Sequence, residues 1–268
     1  FYVGRGALLV LWTLVSDFLC REIFVPLPEI SAKMEILYED NHIIIVNKAP
    51  GEIVQGDKTG DEPLSESLKR YIKERDAKPG NVFIGVVHRL DRPVGGVVVF
   101  AKTSKALSRL NEMFRRGEVH KTYWAVTRGI PEPSEAMLTH YITTVERNNK
   151  SYASLEPKDG AKEARLSYRM IAATERYRLL EVNLMTGRKH QIRVQLSAIG
   201  CPVRGDLKYG DRRSNPDGSI SLLARRVRFI HPVSHVEIDV TAPVPAGDAL
   251  WQAREEAAEQ VRNNNADR

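Results

Sequence analysis

The chain has 268 residues, 42% of them hydrophobic, which is enough for one large domain or two small ones around a real core and excludes a disordered or fibrous polypeptide. Forty Lys and Arg against 34 Asp and Glu leave a net charge of +6, an excess that suits a polyanion such as nucleic acid without requiring one. Cys20 and Cys201 are too few, and too far apart, for a disulfide framework or a zinc site, so a reducing, cytoplasmic setting is the simpler expectation.

Near the start, the apolar run Ala7 to Val15 lies between Arg5 and Asp17 and is too short to cross a bilayer. With Pro26 and Pro28 after it, residues 1–33 read as an extension outside the main fold. The run Ile43 to Val46 is a buried-strand pattern that ends at Asn47-Lys48-Ala49-Pro50-Gly51, a turn by composition. Leu64, Leu68, Tyr71 and Ile72 recur at helical spacing, with Asp61 and Pro63 as a start signal and Pro79-Gly80 as a stop.

Two β-branched runs follow, Val82 to Val87 and Val97 to Ala101, around a polar insert with Pro93, Gly95 and Gly96 that reads as a tight bend. Asp91 then sits at a strand end. Arg89 and Arg92 on either side favour its ionised form, which suits a nucleophile better than a proton donor. Taken alone, Asp91 reads first as a turn residue paired with an arginine at the surface. Leu107, Leu110, Met113 and Phe114 predict a second helix, capped by Ser104 and ended by Gly117.

Lys121 to Val126 alternates like a strand, so Tyr123 and Ala125 share one face and Trp124 and Val126 the other. The Tyr123 ring either packs in the core or stacks on an extruded base with its hydroxyl near the reacting atoms. Further strands are expected at Leu138 to Val145, Ser151 to Leu155, Ala164 to Ile171 and Arg178 to Leu184. Arg188, Lys189, His190 and Arg193 then cluster where a strand meets a helix. That helix would end at Gly200 and carry His190 and Arg193 on adjacent turns of one face, either as a polyanion site or as an ordinary surface helix with a basic start. Strands at Leu222 to Ile230 and Val236 to Val240 precede Pro243-Val244-Pro245, a helix from Asp248 to Val261 and a tail. His231 and His235 flank Pro232 and make no helical metal pair, and no phosphate loop, nucleotide fingerprint or repeat is present.

His88-Arg89-Leu90-Asp91 resembles the signature of the RluA-type RNA pseudouridine synthases. Lys121-Thr122-Tyr123-Trp124-Ala125-Val126 and Gly187-Arg188-Lys189-His190-Gln191-Ile192-Arg193 are similar to that family's second and third motifs, and Cys201 to Gly210 continues the likeness, which runs from about Met34 to Ala242. Gly95 stands where a serine is usual and Leu223 where many relatives have a histidine. The resemblance implies an α+β pseudouridine synthase fold: a large, mostly antiparallel mixed sheet with flanking helices and a central basic cleft. Residues 34–246 would form the catalytic domain and 247–268 a terminal helix and tail, with no S4 module ahead.

By the same resemblance, Asp91 is the catalytic nucleophile, Tyr123 lies in the active site and Arg193 pairs with the aspartate. Arg89, His88, Arg92, Arg188 and His190 would face RNA, with Arg89 filling the gap left by a flipped base. The implied reaction turns a uridine in rRNA or tRNA into pseudouridine; it involves no redox change, activated phosphate or hydrolysis, so no cofactor or metal is expected. RNA is then the partner, with no membrane and no obligatory protein partner, for a monomer in the cytoplasm. Two rivals stay in view: a noncatalytic RNA-binding or chaperone protein with the same fold, and a carboxylate glycoside hydrolase, which would need a paired acid that the three motifs lack.

Overall fold

The computed structural model describes residues 34–246 and 251–252. The expected extension at 1–33 lies outside the described residues, as does all of the expected terminal helix except Trp251 and Gln252, which are helical. β1 (Glu35–Glu39) and β2 (Ile43–Lys48) form an antiparallel hairpin whose turn is held by Asp40. Its Oδ1 accepts from the amides of His42 and Ile43 at 2.7 and 2.8 Å. β2 runs two residues further than composition suggests. Asn47 and Lys48 pair with the next strand inward, and the apolar stem of Lys48 is buried, so sheet pairing overrides a turn-prone composition.

α1 (Leu64–Arg75) buries Leu64, Leu68 and Ile72 at the predicted spacing, with Pro63 at its start. β3 is only Gly85–Val86, and β4 is Gly95–Ala101. α2 (Ser104–Arg116) ends at Gly117 with φ 75°, as predicted, but its cap is Thr103 in place of Ser104. Thr103 is the extended residue, and its hydroxyl accepts from the Ala106 amide at 3.1 Å. The chain continues through β5 (His120–Arg128), β6 (Glu135–Val145), β7 (Lys150–Ser154), β8 (Lys162–Ala173), β9 (Tyr177–Leu184), α3 (Gln191–Ala198), β10 (Leu222–Ile230) and β11 (Glu237–Thr241). These strands fall where apolar alternation places them.

Among the described residues the strands form one eleven-stranded sheet in the order β1-β2-β4-β10-β5-β9-β8-β6-β7, with β3 beside β4 and β11 beside β10. The architecture is the expected α+β one. Every pairing is antiparallel except β4 with β10, which is parallel and joins only Gly95–Gly96 to Leu223–Ala224. Beyond this seam the strands diverge, β3 taking the far end of β4 and β11 the rest of β10. Ala106 and Leu110 of α2 pack with Val97, Val99, Val227, Phe229 and Ile238 from both arms. Burying a leucine there contributes about 1.5–3 kcal/mol.

The seam corrects the expected bend. Gly95 and Gly96 belong to a strand, and the reversal lies earlier, at Asp91 to Val94, where the Val94 amide donates to the Asp91 carbonyl at 3.0 Å. Gly96 is needed for close approach: with φ +111°, a Cβ there would lie 2.3 Å from the Ala224 carbonyl oxygen. The two positions that depart from the family pattern, Gly95 and Leu223, are register partners across this seam.

Candidate active site

Asp91 is placed by that four-residue reversal between β3 and β4. Behind it the buried Lys48 ammonium donates to the carbonyls of Ala49, Arg92 and Val94 at 3.0, 3.2 and 2.7 Å, fastening the turn to the end of β2. Burial draws the Lys48 pKa down to about 8. The two arginines beside Asp91 are not its partners. Arg92 turns outward to ion-pair with Asp61 and donate to the Thr59 hydroxyl at 2.9 Å, and Arg89 is exposed.

The partner of Asp91 comes from a distant part of the chain. Arg193 donates through Nη1 to Asp91 Oδ2 at 2.7 Å. Its other edge forks onto Asp206, Nε to Oδ2 at 2.6 Å and Nη2 to Oδ1 at 3.0 Å, and its guanidinium lies 4.9 Å from the Tyr209 ring centre. Arg193 is 5% exposed and Asp206 1%, so this is a buried cation held by two carboxylates. Burial opposes the charge, yet Asp206 and Asp91 outweigh it and push the guanidinium pKa up. Asp91 Oδ1, by contrast, has no hydrogen-bond partner among the described residues.

α3 carries this arrangement because it is a buried helix, not a surface one: Gln191 through Leu196 are all buried. Ile192 and Leu196 enter the core cluster with Tyr123, Leu180 and Leu222. Gln191 ties down the preceding loop, accepting from the Arg188 amide at 2.9 Å and the Thr186 hydroxyl at 2.8 Å while donating to the Arg165 carbonyl at 3.0 Å. The helix begins one residue after His190, which therefore does not share a helical face with Arg193. It sits ahead of the helix in the left-handed region, φ 56° and ψ 23°.

The residues expected to face RNA separate into two groups. Arg89, Arg92 and Arg188 are exposed, as is the neighbouring Lys189; Arg188 donates to the Glu163 carbonyl at 2.8 Å and Lys189 pairs with Glu146. His88 and His190 are in the wall of the fold. His88 Nε2 accepts from the Val99 amide of β4 at 3.0 Å and its ring stacks on Phe114, so it supplies an acceptor where β4 has parted from β10. Burial pushes its pKa down to about 3, and a neutral ring is what that acceptor role requires. His190 is buried, with Nδ1 2.8 Å from the Tyr209 hydroxyl and Nε2 3.8 Å from Asp91 Oδ2.

Tyr123 stands on β5 between Ala224 of β10 and Val182 of β9, on the predicted face with Ala125, while Trp124 and Val126 join a separate cluster on the other. It is 7% exposed, and burial together with the Asp91 charge raises its pKa, so its hydroxyl stays protonated. Sequence reasoning missed Lys48, Asp206 and Tyr209. Asp206 and Tyr209 had a signal: an arginine on a largely apolar helix needs a buried counter-charge, and Arg204 to Gly210 supplies both an acid and an aromatic ring. Lys48 had none, since its role depends on two carbonyls more than 40 residues away. No three His, Cys, Asp or Glu side chains among the described residues are grouped to hold a metal ion, and no described helix is long and apolar enough to cross a membrane.

The family model described as RNA pseudouridylate synthase matches residues 42–198, a stretch that holds Asp91, Tyr123 and Arg193. The chain is 32% identical over 226 residues to ribosomal large subunit pseudouridine synthase D of Xylella fastidiosa, covering 79% of this chain and 66% of that one. It is 31% identical over 241 residues to tRNA pseudouridine synthase C of Vibrio parahaemolyticus, covering 82% of this chain and 93% of the relative. The chain thus spans just under two thirds of the first relative and nearly all of the second. Among solved structures, the human RNA pseudouridylate synthase domain containing 4 superposes with a TM-score of 0.68 at 25% identity, over 82% of this chain and 92% of that one.

Proposed function

The chain belongs to the RNA pseudouridylate synthase family, and on that premise we propose that it isomerises uridine to pseudouridine within RNA, with Asp91 as nucleophile. The observation that carries this reading is the Asp91 carboxylate, paired through Oδ2 with Arg193 at 2.7 Å while Oδ1 has no partner among the described residues. An anion so held is oriented before the substrate arrives, and one oxygen remains for chemistry. Tyr123 supplies a ring and a protonated hydroxyl for an extruded base.

In the reaction the bond between N1 and C1′ breaks, the uracil turns within the site, C5 bonds to C1′ and the C5 proton leaves while N1 regains one. Atoms and electrons balance without an outside carrier. The names of the relatives specify the ribosomal large subunit and tRNA, and an RNA of one of these two kinds is the substrate we assign. The exposed Arg89, Arg188 and Lys189 supply charge for its phosphates, and to Arg89 we assign the filling of the space left by the flipped base. Residues 34–246 act as the catalytic domain of a monomer without an obligatory protein partner. The buried free thiol of Cys201 accords with work in the reducing cytoplasm.

The test is pseudouridine mapping of total RNA from cells lacking the protein, complemented by wild type or by Asp91→Asn. One or a few uridines should lose modification and regain it only with wild type. Asp206 still pairs with Arg193 in the variant, so Asp91→Asn should remain folded. Full complementation by Asp91→Asn would refute the nucleophile and favour a noncatalytic RNA-binding role.

A further inference from the structure

The residue ahead of α3 breaks two local rules. A helix N-cap is ordinarily Ser, Thr, Asp or Asn, whose side chain accepts from the first turn. Here it is His190, whose side chain makes no cap bond. Its backbone is also in the left-handed region, which a side-chain-bearing residue keeps only where its surroundings enforce it.

The ring is oriented by Tyr209. The Tyr209 hydroxyl accepts from the Ser151 amide at 2.8 Å and lies 2.8 Å from His190 Nδ1. Tyr209 is itself buried, and Nδ1 lies within reach of its hydroxyl hydrogen. With the hydroxyl hydrogen assigned to Nδ1, Nδ1 accepts and the imidazole hydrogen is on Nε2. Nε2 in turn faces Asp91 Oδ2 at 3.8 Å, the same oxygen that receives Arg193, while neither donor addresses Oδ1.

Resting on the reading of Asp91 as nucleophile, we propose that His190 is a positioning residue: its Nε2–H closes onto Asp91 Oδ2 when RNA fills the site, fixing the carboxylate so that Oδ1 reacts. Bonds of this kind are long in the unliganded enzyme and tighten in the complex. The ring serves as a neutral donor. Burial pushes its pKa down to about 4 against the upward pull of Asp91, so it orients the carboxylate without placing a second cation on it. Tyr209 joins the two supports of Asp91, since its hydroxyl orients His190 and its ring lies against the Arg193 guanidinium.

The experiment measures tritium released from total RNA labelled at C5 of uridine and taken from cells lacking the protein. Wild-type release establishes the isomerase reading, and its absence overturns that reading and this inference together. Given wild-type release, His190→Gly keeps the left-handed backbone and removes the ring. Its kcat should fall about 100-fold, the loss expected of one preorganised donor, with KM unchanged. Millimolar imidazole should restore about tenfold of that loss without moving the melting temperature. Tyr209→Phe keeps the ring against Arg193 and should lose about tenfold in kcat at constant KM. A folded His190→Gly that imidazole does not repair, or kcat within about threefold of wild type in the variants, would overturn the assignment. Should His190→Gly fail to fold, Tyr209→Phe decides alone.

Discussion

Replacing Arg193 by lysine keeps the charge and removes the fork. Arg193 spends Nε and Nη2 on Asp206 and Nη1 on Asp91, three charge-assisted hydrogen bonds around a buried guanidinium. A lysine ammonium is a point donor that reaches one carboxylate well and cannot reproduce the bidentate pair while spanning to the second. Each such bond contributes about 1.5–3 kcal/mol. If the ammonium stays with the more deeply buried Asp206, Asp91 loses its partner. The barrier then rises by about 1.5–3 kcal/mol, or about 10–100-fold in kcat/KM. One bond to Asp206 and the contact with Tyr209, together about 2–5 kcal/mol, are lost to stability, lowering the melting temperature by about 5–15 °C for a domain of this size. Thermal unfolding by circular dichroism and tritium release from C5-labelled RNA, in one buffer, measure both quantities. A variant within about threefold of wild-type kcat/KM and about 2 °C of its melting temperature would refute the bridging role.

Histidine burial makes stability depend on pH in a stated direction. His88, held down to about 3, and His190, held to about 4, stay neutral in the fold while the unfolded chain binds protons near 6.5. Stability is therefore complete above pH 6.5 and falls from there toward pH 4, by up to about 1.4 kcal/mol per pH unit for each ring. His88→Gln keeps an acceptor for the Val99 amide, so urea melts at pH 7 and pH 5 should show a shallower decline; an unchanged slope would mean that His88 protonates in the folded protein. Gly96→Ala should be destabilised by about 3 kcal/mol or more, because its Cβ meets the Ala224 backbone at 2.3 Å. Gly160→Ala, also at positive φ but in open space, should lose only about 1 kcal/mol, and equal urea midpoints for the two would remove the close approach as the reason for glycine.

The site was legible in part. Three ordered motifs singled out Asp91, Tyr123 and Arg193, and the structure brings Asp91 and Arg193 into direct contact. Composition and adjacency failed at the neighbours. Arg92, next to Asp91 in sequence, is committed to Asp61, and of the two histidines read as RNA-facing one is buried on Tyr209 and the other is engaged by the Val99 amide. Adjacent residues in an extended or turning chain point in different directions, so proximity in sequence is a poor guide to which charges meet. Lys48 shows the converse: a residue read as part of a turn is the end of a strand and the anchor of the Asp91 reversal.

What the sequence by itself determined was the set of elements. Strand alternation in Lys121 to Val126 and helical spacing in Leu64 to Ile72 are periodic signals that each segment carries alone, and they survive whatever the segment packs against. Tertiary structure decided the two-residue parallel seam at Gly95–Gly96 and Leu223–Ala224, the fork that receives α2, and the link from Asp91 through Arg193 to Asp206. Asp91 and Arg193 are 102 positions apart. Their pairing is created by the strand order that carries one end of the chain past the other, and no local pattern encodes that order.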